Sequence, residues 1–329
     1  MPHSVTLVPG DHTSPENCRA VQAVLAASGV QIDWDEQTAP DGEISEALLA
    51  SARRTKTVLM GYQRGRREAS EPAPIVSLRR ALGTFVAIRP AQTIEAIRHR
   101  HPGIDLVVVR ETTEDVYANL EHESIPGVYE SLRVTTRAAC ERIARFGFEF
   151  ARREGRKKVT IVHKANILKK ADGLLLNTAR EVAADFPDIE VEDVIGDALC
   201  MKLALFPERF DVLLCGNLFG DIVGDLASGL VGGRENCPSM NVGPGGLAVF
   251  TTGHGDPPGL EDPTCGNPVS LLFASILMLR HLGEDDAADR LWTALLATLD
   301  TGVLPYTLGG QASCEAFAHA VASAMQADG

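Results

Sequence analysis

The fold class is decided by residues 211–225, Asp-Val-Leu-Leu-Cys-Gly-Asn-Leu-Phe-Gly-Asp-Ile-Val-Gly-Asp. The first five residues are mostly aliphatic, as in a buried strand, and the stretch that starts at Asn217 is typical of a helix. The same alternation recurs in strand patterns at residues 5–8, 30–34, 105–110, 158–164 and 189–195 and in helix patterns from residue 14 and at residues 136–154 and 170–185. It predicts an α/β fold with a mostly open sheet.

The C-terminal part of the chain is predicted to be helical, with apolar patterns at residues 268–282, 285–299 and 313–326. Residues 232–268 are rich in Gly and Pro and are too long for an ordinary connection, so they predict a ligand-binding loop region. At the other end of the chain, Ser14 is predicted to cap the first helix, with Pro15 at its first position.

Length and composition limit the classes of protein to which the chain can belong. With 329 residues it is expected to form about two domains, and its formal charge of −13 argues against a nucleic-acid partner. Seven cysteines occur without a Cys-x-x-Cys pair, which indicates neither a zinc site nor a disulfide framework and favours a reducing compartment. No signal-peptide pattern opens the chain and no apolar run could span a bilayer, so we expect a cytoplasmic protein without a membrane partner.

Three aspartates are candidate ligands for a divalent metal ion. Asp221 and Asp225 are four residues apart in a predicted helix, so their carboxylates share one face and repel each other unless a positive charge lies between them. Mg²⁺ or Mn²⁺ would suit carboxylate oxygens, and Asp197 stands at the start of another helical stretch. The alternative is that all three are solvated or capping residues.

Nine short motifs accompany the acids in a specific order. They are residues 7–11, 78–80, 88–90, 110–117, 163–166, 217–225, 254–255, 266–268 and 308–310. Together they resemble the β-decarboxylating dehydrogenases, the family of isocitrate, homoisocitrate, 3-isopropylmalate and tartrate or D-malate dehydrogenases. The resemblance implies two domains with the active site in the cleft between them. The large, cofactor-side domain would comprise residues 1–93 and 239–329, and the small domain, with metal, catalytic and dimerisation residues, would comprise residues 94–238.

The resemblance also implies a role for individual residues. Catalytic residues would be Tyr117, Lys164 and Asp197; substrate-binding residues Arg79, Arg89, Arg110 and Asn166; cofactor-binding residues His254, Gly255 and Asn267; and metal ligands Asp197, Asp221 and Asp225. Arginines suit bidentate carboxylate recognition, and partial burial beside a metal would favour the neutral, proton-accepting form of Lys164. In the family the lysine and one metal-binding aspartate come from the neighbouring subunit, so Lys164 and Asp197 imply a homodimer with shared active sites.

The implied activity is metal-dependent, NAD(P)-linked oxidative decarboxylation of a 3-substituted malate. Gly259 and Leu260 replace the residue pair with which the family distinguishes NAD from NADP. Two acids nearby, Glu261 and Asp262, would repel a 2′-phosphate, so NAD is favoured without excluding NADP.

The contacts to the C3 substituent of the substrate are expected to differ from those with which the family ordinarily recognises isocitrate. Ala73 and Ile75 replace the Ser and Asn that touch the C3 substituent in the family. The loop with Arg64, Arg66 and Arg67 favours an anionic C3 substituent, a carboxylate or a phosphonate, unless it is a solvated basic loop. Two further functions stay open: a non-catalytic regulatory homologue that binds a polycarboxylate, and a tartrate or D-malate dehydrogenase.

Overall fold

A computed structural model describes residues 2–64, 73–253 and 262–327. The predictions for Arg66, Arg67, His254, Gly255 and residues 259–261 therefore lie outside the described residues. The chain divides into two compact units. The first comprises Met1–Gly83, Ile94–Arg100 and Val231–Gly329, and the second comprises Thr84–Thr93 and His101–Leu230. These bounds differ from the expected domain limits at residues 84–93, 94–100 and 231–238, and the domain assignment stays a prediction.

The strands are β1 (His3–Val8), β2 (Ile32–Glu36), β3 (Thr57–Met60), β4 (Val86–Gln92), β5 (Asp105–Glu111), β6 (Asp115–Ile125), β7 (Val128–Val134), β8 (Lys158–His163), β9 (Glu190–Ile195), β10 (Val212–Cys215), β11 (Pro238–Val242) and β12 (Ala248–Thr252). The α-helices are α1 (Ser14–Ala27), α2 (Glu46–Thr55), α3 (Pro74–Leu82), α4 (Arg137–Arg153), α5 (Ala171–Ala183), α6 (Gly196–Leu205), α7 (Asn217–Leu230), α8 (Val269–His281), α9 (Asp285–Asp300) and α10 (Cys314–Ala327). The predicted α/β class is confirmed.

The first unit is built around strands in the order β2-β1-β3-β12-β11, all parallel to their neighbours except β11, which pairs antiparallel to β12. Helix α8 is apolar on every face and is buried along nearly its whole length, as expected for a helix in the core of a unit. The prediction that residues 232–268 form a loop region was wrong in part, because β11 and β12 lie within this stretch. Pro238 opens β11, Gly243 and Pro244 follow it, and Gly253 follows β12.

The start of α1 also differs from the sequence-based prediction. The helix begins at Ser14 rather than after it, and the preceding Thr13 makes no side-chain capping bond. The Ser14 hydroxyl instead accepts a hydrogen bond from the Tyr62 backbone N–H at 2.8 Å. The hydroxyl therefore fixes the loop after β3 instead of capping the helix.

The second unit contains strands in the order β4-β5-β10-β8-β9, with β4 antiparallel to β5 and the others parallel. Strand β10 is buried on both faces, which explains its continuous apolar run. Strands β6 and β7 form a separate antiparallel hairpin with four large apolar side chains between 49% and 73% exposed: Leu120, Ile125, Tyr129 and Leu132. Within the described ranges, no helix is long and apolar enough to cross a membrane.

Candidate active site

The centre of the site is a group of charged side chains around Asp221, which we call the Asp221 cluster: Arg89, Arg110, Tyr117, Asp221 and Asp225. Arg89 lies on β4, Arg110 on the neighbouring β5, and the two aspartates on α7, all in the second unit. Arg110 is 2% exposed and donates to Asn217 Oδ1 through Nε at 3.0 Å and Nη2 at 2.7 Å. Its Nη1 forms an ion pair with Asp221.

The Arg89 guanidinium supplies the positive charge that the aspartate pair requires. Its Nη2 is 3.2 Å from Asp221 Oδ1 and its Nη1 is 3.3 Å from Asp225 Oδ1. The confirmed helix places the two carboxylates on one face, so a single planar cation bridges them.

Two glycines of α7 make room for the arginines. A Cβ atom at Gly220 would lie 2.5 Å from Arg110 Cγ, and one at Gly224 would lie 2.9 Å from Arg89 Nη1. A glycine inside a helix costs about 0.5–1 kcal/mol relative to alanine, so this spacing of four residues is a signal of close approach. The sequence contained that signal, in Gly220-Asp221 and Gly224-Asp225, and our sequence analysis missed it.

Tyr117 completes the cluster. Its hydroxyl donates to Asp221 Oδ2 at 2.5 Å, and the Arg110 guanidinium lies over its ring, 5.0 Å from the centroid. Burial and the hydrogen bond to the Asp221 carboxylate raise the pKa of Tyr117. Burial of Asp221 acts to raise its own pKa, but the Arg110 charge, the Tyr117 hydrogen bond and the Arg89 charge outweigh it and lower that pKa. The phenol is therefore protonated and Asp221 ionised at neutral pH.

Lys164 and Asp197 form a second group in the same unit. Lys164 Nζ donates to Asp197 Oδ1 at 2.5 Å, and this hydrogen bond is the main reason why the pKa of Asp197 is lowered. Lys164 follows the last residue of β8, Asp197 lies in the first turn of α6, and the exposed Asn166 lies in the turn after Lys164. The described residues contain no group of three His, Cys, Asp or Glu side chains that could hold a metal ion, so within one chain Asp197 does not complete the Asp221–Asp225 pair.

The two remaining site residues that the structure describes, Arg79 and Asn267, lie in the first unit. Arg79 is in the last turn of α3 and is partly exposed. Ile75, on the same helix, packs against the core cluster that includes Leu78, so the replacement of a polar residue there has a packing reason. Asn267 is 4% exposed; its Oδ1 accepts from the Val269 N–H at 3.0 Å, whereas its Nδ2 has no hydrogen-bond partner in the described part of the chain.

Arg64 is the one member of the basic loop among the described residues. Its backbone N–H donates to Asp11 Oδ2 at 2.8 Å, and it lines a pocket of about 450 Å³ together with Asp11, His12 and Asp41. The second carboxylate oxygen of Asp11 is buried and has no hydrogen-bond partner among the described residues. This pocket therefore presents both an acidic and a basic group.

Comparison with known proteins shows similarity over nearly the whole chain. The family model for isocitrate/isopropylmalate dehydrogenase matches residues 4–321. The 3-isopropylmalate dehydrogenase of Archaeoglobus fulgidus is 41% identical over 98% of this chain and 99% of its own length. A regulatory subunit of the mitochondrial NAD isocitrate dehydrogenase of Dictyostelium discoideum is 38% identical over 97% of this chain and 89% of its own length. The crystal structure of isocitrate dehydrogenase from Methylococcus capsulatus has a TM-score of 0.92 at 38% identity and covers 98% of this chain and 99% of its own.

Proposed function

Because this chain belongs to the isocitrate/isopropylmalate dehydrogenase family, we propose that it oxidises and decarboxylates a 3-substituted malate with NAD and Mg²⁺ or Mn²⁺. The observation that carries the proposal is the Asp221 cluster, in which two arginines, a protonated phenol and two carboxylates converge. Such a set can hold a di- or tricarboxylate and deliver a proton beside it.

Each residue of the cluster has a role that follows from its chemistry. Arg89 and Arg110 bind substrate carboxylates, because their guanidinium groups are held in place by carboxylate or amide partners. Tyr117 gives its proton to the carbon that loses CO₂, since its raised pKa keeps it protonated. Lys164 takes the proton of the substrate hydroxyl, and Asp197 orients the Lys164 amine. Arg79 and Asn166 are further substrate contacts.

Asp221 and Asp225 are the residues that would hold the divalent cation. Their oxygens fit a hard ion, and helix α7 holds the two carboxylates on one face, where a bound cation would replace the Arg89 charge that bridges them. When bound, the cation supplies Lewis-acid polarisation of the substrate oxygens and NAD accepts the hydride. Asp197 of a second copy of the chain would complete the ligand set.

A homodimer with shared sites is the assembly that we propose. Helix α6, which carries Asp197, also exposes Met201 and Leu205, and Phe206 follows it; α7 exposes Ile222. Large apolar side chains next to a site aspartate favour a covered surface. A second copy there would bring Lys164 and Asp197 of one chain to Asp221 of the other.

The proposed cofactor is NAD, with His254, Gly255 and Asn267 as its contacts. The buried Asn267 Nδ2, which has no partner within the described ranges, supports a ligand acceptor at this position. The acids Glu261 and Asp262 disfavour a 2′-phosphate. We place the protein in the reducing environment of the cytoplasm, which its seven free cysteines support.

The proposed substrate has an anionic C3 substituent, because Arg64 lines a pocket and Arg66 and Arg67 follow it in sequence. A regulatory, non-catalytic role is the second candidate, and the similarity to a subunit named as regulatory favours it. The pairing of Lys164 with Asp197 and of Tyr117 with Asp221 favours catalysis. A tartrate or D-malate dehydrogenase would use the same groups.

The proposal is tested by a turnover screen followed by the absorbance of reduced nicotinamide. The substrates are D-malate, tartrate, isocitrate, 3-isopropylmalate and a 3-phosphono malate, each with NAD or NADP and with Mg²⁺ or Mn²⁺. Isocitrate or the phosphonate should give the highest kcat/KM with NAD, and Lys164→Ala should abolish it. If the folded protein binds isocitrate in a calorimetric titration but shows no turnover with any combination of substrate, cofactor and metal ion, the regulatory role is favoured. If 3-isopropylmalate gives the highest kcat/KM of all the substrates, the proposal that the substrate has an anionic C3 substituent is refuted.

A further inference from the structure

We propose that Arg133 is a positioning residue that holds the Lys164 turn and the start of α7 in register, an inference that rests on the proposed function. Arg133 lies on β7, and neither the sequence motifs nor the Asp221 cluster includes it. Its side chain is 16% exposed, and its ion-pair partners, Asp115 and Asp172, are 4% and 2% exposed. A guanidinium between two buried carboxylates is a costly arrangement unless each group is well paired.

The contacts of Arg133 are close on both sides. Its Nη1 is 2.7 Å from Asp172 Oδ1, and its Nη2 donates to Asp115 Oδ2 at 3.1 Å. Its Nε lies 2.7 Å from Asp115 Oδ1, as an ion pair without hydrogen-bond geometry. One rigid fork thereby fixes the distance between the two aspartates, which a lysine ammonium could not do.

Each aspartate passes that constraint to a segment of the site. Asp172 Oδ2 accepts the backbone N–H of Lys164 at 2.5 Å, so it fixes the residue proposed as the base. Asp115 Oδ2 accepts the backbone N–H of Leu218 at 3.0 Å, at the start of the helix that carries Asp221 and Asp225. The N-terminus of a helix favours a carboxylate.

A third contact reaches the segment of Asp197. The Arg133 guanidinium lies over the Phe219 ring, 5.8 Å from its centroid. A Cβ atom at Gly196 would lie 2.6 Å from Phe219 Cε1, so this ring packs directly on the residue before Asp197. Arg133 is therefore connected to the segments of Lys164, Asp197 and Asp221, in each case through one intermediate residue.

Arg156 offers a matched control at the opposite end of β8. Its Nη2 donates to Asp105 Oδ1 at 2.7 Å and its Nη1 to Asp211 Oδ1 at 3.1 Å, while Asp211 Oδ2 accepts the Lys158 N–H at 3.0 Å. It is thus an arginine that bridges two aspartates and, through one of them, fixes the backbone at the start of β8. Its contacts lead to no segment of the proposed site.

The experiment compares Arg133→Lys with Arg156→Lys. Hydrogen exchange by mass spectrometry should accelerate about tenfold or more in residues 163–168 and 216–220 of Arg133→Lys and stay at the wild-type rate there in Arg156→Lys. With the best substrate of the turnover screen, Arg133→Lys should lower kcat on the order of 10- to 100-fold and leave KM within about twofold, because the misplaced group acts in the chemical step. Arg156→Lys should keep the wild-type kcat.

A second variant covers the case in which Arg133→Lys does not fold. Asp172→Asn keeps the side-chain shape and should accelerate exchange in residues 163–168 with a smaller effect in residues 216–220, since Asp115 is untouched. Wild-type exchange in both segments of Arg133→Lys, or equal acceleration in Arg156→Lys, would overturn the inference, as would an unchanged kcat. If the wild-type protein turns over no substrate, the proposed function fails and the exchange comparison alone decides the role of Arg133.

Discussion

The two compact units of the chain differ in how their polar side chains find hydrogen-bond and ion-pair partners. In the second unit Arg110, Tyr117 and Asp221 bind one another, and Arg89 bridges the two aspartates of α7. Among the described residues of the first unit, three buried asparagines have side-chain atoms without hydrogen-bond partners. These atoms are both side-chain polar atoms of Asn236, Oδ1 of Asn241 and Nδ2 of Asn267.

The two units thus show two ways in which a site is prepared for its ligand. Groups that bind one another are preorganised, and they stabilise charge in a reaction without rearrangement. A buried amide without a partner costs about 1–3 kcal/mol, which a ligand atom would relieve. We therefore expect substitutions in the Asp221 cluster to reduce kcat and substitution of Asn267 to weaken cofactor binding.

The largest effect is expected at Asp221. Asp221→Asn removes the charge shared by Arg89, Arg110 and a bound cation, so kcat should fall about 100- to 1,000-fold while the fold is kept. Asp35→Asn is the control, because Asp35 also pairs with an arginine, Arg54, but lies in the first unit. Steady-state kinetics and a Mg²⁺ titration measure the effect. Equal losses in the two variants would contradict the special role of the cluster.

The next prediction concerns two inactive variants, Lys164→Ala and Tyr117→Phe. If the Lys164 of one chain serves the Tyr117 of the other, mixing the two variants creates one intact site in each heterodimer. Equal amounts should then recover about a quarter of wild-type activity, since half of the dimers are mixed and each has one intact site of two. Subunit exchange is verified by native mass spectrometry with an isotope-labelled partner. Exchange without recovered activity would place both residues of a site in one chain.

The sequence was a good guide to the elements that bury apolar side chains. The strand at residues 158–164 and the helix at residues 136–154 were predicted within about one residue of β8 and α4, because their apolar patterns reflect the core directly. The β6–β7 hairpin was missed, since most of its residues, 119–132, are exposed and give no burial pattern for a sequence to record.

The site was predictable only where its residues are close in sequence or match a family motif. The helical spacing of Asp221 and Asp225 identified the carboxylate pair, whereas Arg89 and Arg110 entered through the resemblance alone. Arg133 and Asn217 carried no local signal, because Asn217 meets Arg110 across 107 residues and Arg133 meets Asp172 across another strand and helix. Pairing over such separations is a property of the fold, which one sequence does not reveal.

A smaller effect is expected at Asn267, in the first unit. Asn267→Asp keeps the Oδ1 that accepts the Val269 N–H but removes the unpartnered Nδ2 donor, so KM for NAD should rise about 3- to 10-fold with kcat nearly unchanged. Asn267→Ala removes both groups and should also lower the melting temperature. A loss of kcat in Asn267→Asp as large as that of Asp221→Asn would erase the distinction between the two units.

The smallest expected effect is a shifted titration of Tyr117. Its pKa is raised by burial and by the Asp221 carboxylate, so its contribution to stability is complete below the ordinary tyrosine pKa of about 10 and is lost as the pH rises through the raised value. In a pH titration followed by the ultraviolet absorbance of tyrosinate, one of the four tyrosines should ionise at a higher pH than the others, as a late step. Tyr117→Phe should remove that step. Asp221→Asn should shift the step only part of the way back, because burial is the larger cause and persists. A full return to the ordinary value would mean that the carboxylate alone raises the pKa of Tyr117, whereas no late step in the wild-type protein would show that Tyr117 is neither buried nor paired with Asp221 in solution.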